Sequence, residues 1–167
     1  MVYCVHPCPC GYYGDSLKPC TRGPAMVTKY QKWISGALPD RIDIHIEIPG
    51  VGYEKLSGNC VGESSETIRA RVQMARDIQN KWFAKTESPD IICNTDMRVG
   101  EVRQFCQSQA EGQSLMRSAM SQLNLSARAY HRILKLSRTI ADLAGSEEIQ
   151  SPHLAEALHY RPKIMIG

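Results

Sequence analysis

Long apolar runs are missing from this sequence of 167 residues. A helix that spans a bilayer needs about 18 consecutive apolar residues, and no segment approaches that length. The first residues, MVYCVHPCPCG, also lack the basic and apolar regions of a secretory leader. We therefore expect a cytoplasmic protein with no membrane partner.

Motifs for self-contained catalysis are missing as well. The sequence has no G-x-x-x-x-G-K-[ST] phosphate loop, no acidic pair at a strand end to hold magnesium, and no HExxH helix or serine-nucleophile motif. The chain alone is therefore predicted not to hydrolyse ATP. Its net charge of +3 permits a nucleic-acid partner but does not indicate one.

Two segments in the first third of the chain have the pattern of β-strands. Residues 1–6, MVYCVH, are apolar and β-branched, and residues 41–48, RIDIHIEI, alternate isoleucines with polar side chains. Between them, Pro24 stands where a helix opens and Gly36 where it stops. The apolar stripe of this short helix comprises Val27, Tyr30, Trp33 and Ile34.

The remainder of the chain reads as a glycine-rich linker at residues 49–62 followed by an all-helical segment at 63–167. Ser126 and Ser151 occupy N-cap positions and Gly145 a C-cap position. Apolar residues at three-four spacing predict helices at 63–83, 97–107, 111–124, 126–145 and 151–160.

Seven cysteines in a reducing compartment are expected to be free thiols or metal ligands rather than disulfides. The spacing of Cys8, Cys10 and Cys20 could bind zinc, but a closed structural site uses four ligands, usually with C-x₂-C pairs. Cys4 or His6 could supply the fourth. Free thiols are the default interpretation, so we assign no metal ligand from the sequence.

Arg41 has two interpretations. It stands between Asp40 and Asp43 at the start of a predicted strand, where a surface ion pair is its default role. The alternative is an arginine finger, a permanently charged planar donor that reaches the γ-phosphate held by a neighbouring subunit. The spacing of residues does not separate the two.

Arg128 also has two interpretations. Together with Arg132 and Lys135 it lies on one helix face, which by default is a solvated face. However, Arg128 falls in the first helical turn, where the helix dipole favours an anion and disfavours a cation. A bound phosphate would resolve that conflict.

Four stretches carry a resemblance to a known family. They are HPCPCGYYGD (6–15), ISGALPDRIDIHIEIP (34–49), ESSETIRARVQMAR (63–76) and LSARAYHRILKLSRTIADLAGSEEIQSPHLAEALHYR (125–161). Together they resemble the magnesium-chelatase-like AAA+ ATPases, most closely their ComM branch. The resemblance implies a mostly α chain: the end of an AAA+ α/β core, with short strands plus a helix, at 1–48, then the linker, then an all-helical lid bundle at 63–167.

The resemblance also implies roles for three residues. His6 falls at the sensor position near the γ-phosphate, Arg41 at the arginine finger that acts on the next subunit, and Arg128 at the second sensor in the lid. The family uses ATP and Mg²⁺ at the interfaces of a hexameric ring, and its ComM branch resembles a DNA-remodelling motor.

The chain departs from the family pattern in four places. The half that grips the phosphates is missing, His6 replaces the usual Asn, Arg22 replaces a common Cys, and Pro39 interrupts a usual Leu-Leu pair. Two functions follow. The first is the C-terminal part of a ComM-type ATPase that supplies Arg41 and Arg128 to ATP held mainly by other segments. The alternative, favoured if the chain is a complete natural gene product, is a non-enzymatic helical adaptor that binds protein or DNA.

Overall fold

The structure, a computed structural model, describes residues 2–15, 18–34, 41–48, 62–86 and 90–161, with residues 50, 51, 53, 57 and 58 between them. The chain divides into two compact units, Met1–Cys60 and Val61–Gly167. The division falls within the segment predicted as a linker. Across the described ranges, every helix is too short or too polar to cross a bilayer.

The first unit contains helix α1, Pro24–Ile34, which begins at the predicted proline. The predicted stop at Gly36 lies outside the described residues. Val27 of the predicted apolar stripe is buried, whereas Trp33 is 83% exposed. A hydrogen bond of 3.3 Å from Gln31 Nε2 to the Pro7 carbonyl ties α1 to the cysteine-containing loop before it.

The two predicted β-strands are not observed in the described residues. Residues 2–6 and 41–48 are extended or irregular and form no ladder within the described part of the chain. Ile46 and Ile48, placed by the alternation on one buried face, are 68% and 85% exposed. A strand is stabilised by a neighbour that pairs with its backbone N–H and C=O groups. An alternating sequence pattern does not provide such a neighbouring strand. The strand-containing end of an AAA+ core is therefore not observed among the described residues.

The second unit is helical, as predicted. Its α-helices are α2 (Ser65–Phe83), α3 (Val99–Phe105), α4 (Ala110–Gln122), α5 (Ala127–Leu143) and α6 (Ser151–His159), and a 3₁₀ turn at Asn94–Asp96 precedes α3. The predicted helix at 97–107 therefore corresponds to the shorter α3 alone.

One of the three predicted helix caps is confirmed, and the other two lie one residue from the observed cap. The Ser126 hydroxyl accepts the Ala129 N–H at 3.1 Å at the start of α5. Gly145, with φ of +68°, follows the end of that helix in the left-handed conformation that glycine tolerates. At α6 the N-cap is Gln150, one residue before the predicted Ser151. The reason is that His153 Nδ1 accepts the Gln150 N–H at 3.2 Å.

Helix α5 is the centre of the second unit. Its residues Ile133, Leu134 and Ala141 are all buried. They join one hydrophobic core with residues from the other helices of the unit, including Phe83, Val102, Met116, Ile149, Leu154 and Ala157. The opposite face of α5 therefore remains available for polar functions.

A buried polar network fixes α5 to its neighbours. Arg138 Nε donates to Asp142 Oδ1 at 2.8 Å, and both side chains are only 1% exposed. The other carboxylate oxygen of Asp142 accepts from Gln79 Nε2 at 3.0 Å and from Asn94 Nδ2 at 2.7 Å. The Arg138 guanidinium lies over the Trp82 ring at 4.6 Å. Because the network joins α2, the 3₁₀ turn and α5, it positions the segment that leads into α3.

Candidate functional site

A surface cavity of about 310 Å³ lies in the second unit beside α3 and the polar face of α5. Four of its residues carry a permanent positive charge. The cavity is lined by Met97, Arg98, Val99, Val102, Arg128, His131, Arg132 and Lys135. We call it the basic cavity.

Helix α5 supplies three of the four cations. Arg128 is the second residue of the helix and is exposed, while Arg132 and Lys135 follow on the same face and are half-buried. Lys135 Nζ donates to the Thr95 carbonyl at 2.8 Å, which fixes the far end of the row against the 3₁₀ turn. The three cations thus lie on one face over about 10 Å of helix.

Arg98 brings the fourth cation from the start of α3. Its backbone N–H donates to Glu101 Oε2 at 2.9 Å, which fixes the first turn of that helix. Its guanidinium approaches Asp90 Oδ2 only at 3.8 Å, and both side chains are largely exposed. Such a pair neutralises little charge.

Asp96 is the acidic residue next to the row of cations. Its Oδ2 accepts the Cys93 N–H at 3.1 Å and the Ile92 N–H at 3.2 Å. The Cys93 thiol, these backbone N–H groups and the charge of Lys135 together hold the pKa of Asp96 below its usual value. Asp96 is therefore a carboxylate that stabilises the 3₁₀ turn, and the basic cavity keeps a net positive charge suited to an anion.

The other two predicted site residues lie in the first unit. Arg41 is exposed, and no ion pair joins it to Asp43 or to any other residue in the described part of the chain. Asp40 lies outside the described residues. His6 is also exposed, and its imidazole lies beside Gly11: a Cβ placed on Gly11 would be 3.5 Å from His6 Nδ1. The proposed roles of both residues stay predictions.

Three cysteine thiols converge in the first unit, in the loop that precedes α1. The Sγ atoms of Cys8 and Cys10 are 3.2 Å apart, those of Cys10 and Cys20 are 3.3 Å apart, and those of Cys8 and Cys20 are 3.7 Å apart. All three are free thiols. The backbone N–H of Tyr12, followed by the Cys8 thiol, lowers the pKa of Cys10 to about 6. We call this group the thiol cluster.

Sequence reasoning identified Arg128 but missed Arg98. The signal for Arg128 was local, since a cation in a first turn conflicts with the helix dipole. Arg98 is more than 25 residues earlier in the chain and reaches the cavity only through the packing of α3 against α5. Periodicity along one helix carries no information about such a contact.

Comparison with known proteins gives consistent matches along the chain. The family described as "Magnesium chelatase, subunit ChlI C-terminal" matches residues 62–161. The family described as "Magnesium chelatase, subunit ChlI" matches residues 1–56.

Individual relatives match the chain from end to end. The competence protein ComM of Haemophilus influenzae is 35% identical over 99% of this chain and 31% of its own length. The YifB proteins of Escherichia coli and Salmonella typhimurium are 37% and 32% identical, each over 96% of this chain and 30% of their own length. The chain thus spans about a third of the relatives it matches. It belongs to the magnesium-chelatase (ChlI) family, within which it corresponds to the C-terminal part of ComM-like proteins.

Proposed function

We propose that the chain is the lid-bearing part of a ring-forming AAA+ ATPase, in which Arg128 binds the phosphates of ATP. The observation that carries this proposal is the basic cavity, where Arg128 lies together with Arg98, Arg132 and Lys135. A concentration of fixed cations around the N-terminus of a helix is suited to a phosphate chain. The resemblance that assigned Arg128 to the second sensor is independent of this geometry.

Two of the cations have distinct tasks in this proposal. Arg128 is exposed in the first turn of α5, so its guanidinium can donate two parallel hydrogen bonds to one phosphate. Lys135 is held against the 3₁₀ turn by the Thr95 carbonyl and acts as a fixed charge at the other end of the row. Binding should therefore weaken as the salt concentration rises, because these charges are near the surface.

The basic cavity fits the phosphates of ATP but not its magnesium ion. Asp96, the neighbouring carboxylate, is engaged by two backbone N–H groups. Mg²⁺ is usually held by carboxylates and phosphate oxygens, so in this proposal its protein ligands and the phosphate loop come from other segments of the ATPase. Arg41 as a finger acting on the next subunit, and His6 as a polar sensor, complete the proposal on the strength of the resemblance. A role of the ATPase in DNA remodelling is likewise proposed from the family resemblance.

Nucleotide titration of the chain tests the role of Arg128. We expect weak binding of ATP and no phosphate release, and we expect Arg128→Gln to lower affinity about tenfold, since hydrogen bonds to charged groups contribute about 1.5–3 kcal/mol. Amide chemical shifts in the first turn of α5 should report the binding.

The matched control is Arg117→Gln, which removes an exposed arginine of α4 that does not line the cavity. It should bind ATP as the unaltered chain does. Equal losses in both variants would show that only net charge matters, and an unchanged affinity for Arg128→Gln would rule out the proposed site.

A second function, the helical adaptor, is favoured by one observation. Ile68 and Val72, four residues apart on α2, are 41% and 45% exposed. Two apolar side chains on one helix face are suited to contact with another protein. An adaptor of this kind has no need of phosphate binding, so an absent response of the α5 amides to ATP would favour it over the ATPase part.

A further inference from the structure

The thiol cluster has the geometry of three corners of a metal site. Its Sγ–Sγ distances of 3.2, 3.3 and 3.7 Å are far longer than a disulfide bond of about 2.05 Å. A tetrahedral zinc ion with Zn–S bonds of about 2.3 Å separates its sulfurs by about 3.8 Å. Small movements of the three side chains would therefore accommodate one ion, whereas a disulfide would engage two thiols and leave the third unpaired.

The backbone around the cluster is arranged to hold these thiols together. The Gly11 N–H donates to the Cys8 carbonyl at 3.0 Å, which closes a tight turn, and Gly11 has φ of +82°. This turn keeps Cys8 and Cys10 close together, with their Sγ atoms 3.2 Å apart.

The first unit has few other sources of stability. In its described part, the buried apolar residues are Cys8 and Val27. Small units with little core are commonly stabilised by a metal or by disulfides. Cys106 differs from the cysteines of the thiol cluster, because it is buried in the large hydrophobic core of the second unit. Burial raises its pKa to about 12, so it remains a thiol.

We propose that Cys8, Cys10 and Cys20 bind one zinc-type divalent ion as thiolates. Their three Sγ atoms all lie within 4.8 Å of one another, so a single ion can contact all three. The thiol protons pass to solvent when the metal binds, and water completes the tetrahedral coordination. The site does not depend on the proposed function.

Titration of the reduced chain with Co²⁺ tests the site. We expect one Co²⁺ per chain, with sulfur-to-cobalt charge-transfer absorption and the visible bands of a tetrahedral ion, and we expect Zn²⁺ to displace it. Cys10→Ser and Cys20→Ser should each lower Co²⁺ affinity by at least about tenfold, since even loss of a residue that only supports a ligand costs about 10–100-fold.

The matched control is Cys93→Ser in the second unit, where a hydroxyl can keep the contact of the Cys93 thiol with Asp96. Its Co²⁺ binding should equal that of the unaltered chain, and far-UV circular dichroism should show that all variants keep their helices. Absence of stoichiometric binding, or equal binding by Cys10→Ser, would overturn the site.

Discussion

The buried pair of Arg138 and Asp142 is the residue-scale feature on which the helical unit most depends. Asp142 accepts hydrogen bonds from Arg138, Gln79 and Asn94, so removing its carboxylate leaves the buried guanidinium without its counter-charge and the Gln79 amide without its acceptor. Breaking a buried pair from one side typically costs about 3–5 kcal/mol. We therefore expect Asp142→Ala to lower the free energy of unfolding of the second unit by about that amount.

Urea denaturation followed by circular dichroism measures this loss, and an exposed ion pair provides the control. Arg71 donates two hydrogen bonds to Glu63, at 3.0 and 3.2 Å, and both side chains are more than 40% exposed. Arg71→Ala should cost less than about 1 kcal/mol. If Asp142→Ala and Arg71→Ala lowered the free energy of unfolding by similar amounts, burial would not be what makes the pair of Arg138 and Asp142 stabilising.

At the scale of elements, Gly112 allows α4 to approach α6. A Cβ at this position would lie 2.8 Å from Leu154 Cδ1 and 3.1 Å from Ser108 Cβ, and Leu154 is fully buried. Gly112→Ala should therefore destabilise the unit by up to about 2 kcal/mol, since overpacking costs about 1–3 kcal/mol and alanine returns about 1 kcal/mol of helix propensity.

Gly100→Ala is the matched control, because Gly100 lies in α3 and no atom is within 4 Å of its ideal Cβ position. In Gly100→Ala the added methyl group meets no neighbour, and alanine has the higher helix propensity. The midpoint of thermal unfolding should therefore rise slightly. The same direction of change in both variants would argue against a close contact at Gly112.

The helices could be predicted from the sequence, and the strands could not. Helical hydrogen bonds are local, so apolar spacing and caps such as Ser126 specify α5 without reference to the rest of the chain. The alternation at 41–48 describes only one side of a pairing, and a strand depends on a neighbour elsewhere in the chain. The misplaced cap at Ser151 has a similar cause, since His153 favours a start one residue earlier.

At the scale of the whole molecule, the candidate site could be predicted only in part. Arg128 was identifiable, because its first-turn position and the family resemblance agree. The cavity around it was not, because Arg98 meets Arg128 only through the packing of α3 against α5. Arg41 and His6 belong to the other unit. The roles proposed for them involve other segments of an ATPase, and this chain spans only 31% of the ComM relative.

The role of Arg41 is testable in a ring ATPase that carries this chain as its C-terminal part. A finger stabilises charge that develops on the neighbour's phosphate, so Arg41→Ala should lower turnover about 10³-fold or more and leave ATP binding and unfolding nearly unchanged.

Mixed rings separate a finger from a residue that acts on its own subunit's nucleotide. Arg41→Ala subunits doped among unaltered ones should silence the sites of their neighbours, because each finger serves the adjacent ATP. The control, Lys29→Ala, removes an exposed cation of α1 and should leave turnover intact. If the mixed rings lose activity only at the altered subunit's own site, or lose none, Arg41 is an ordinary exposed arginine, whose removal changes stability by less than about 1 kcal/mol.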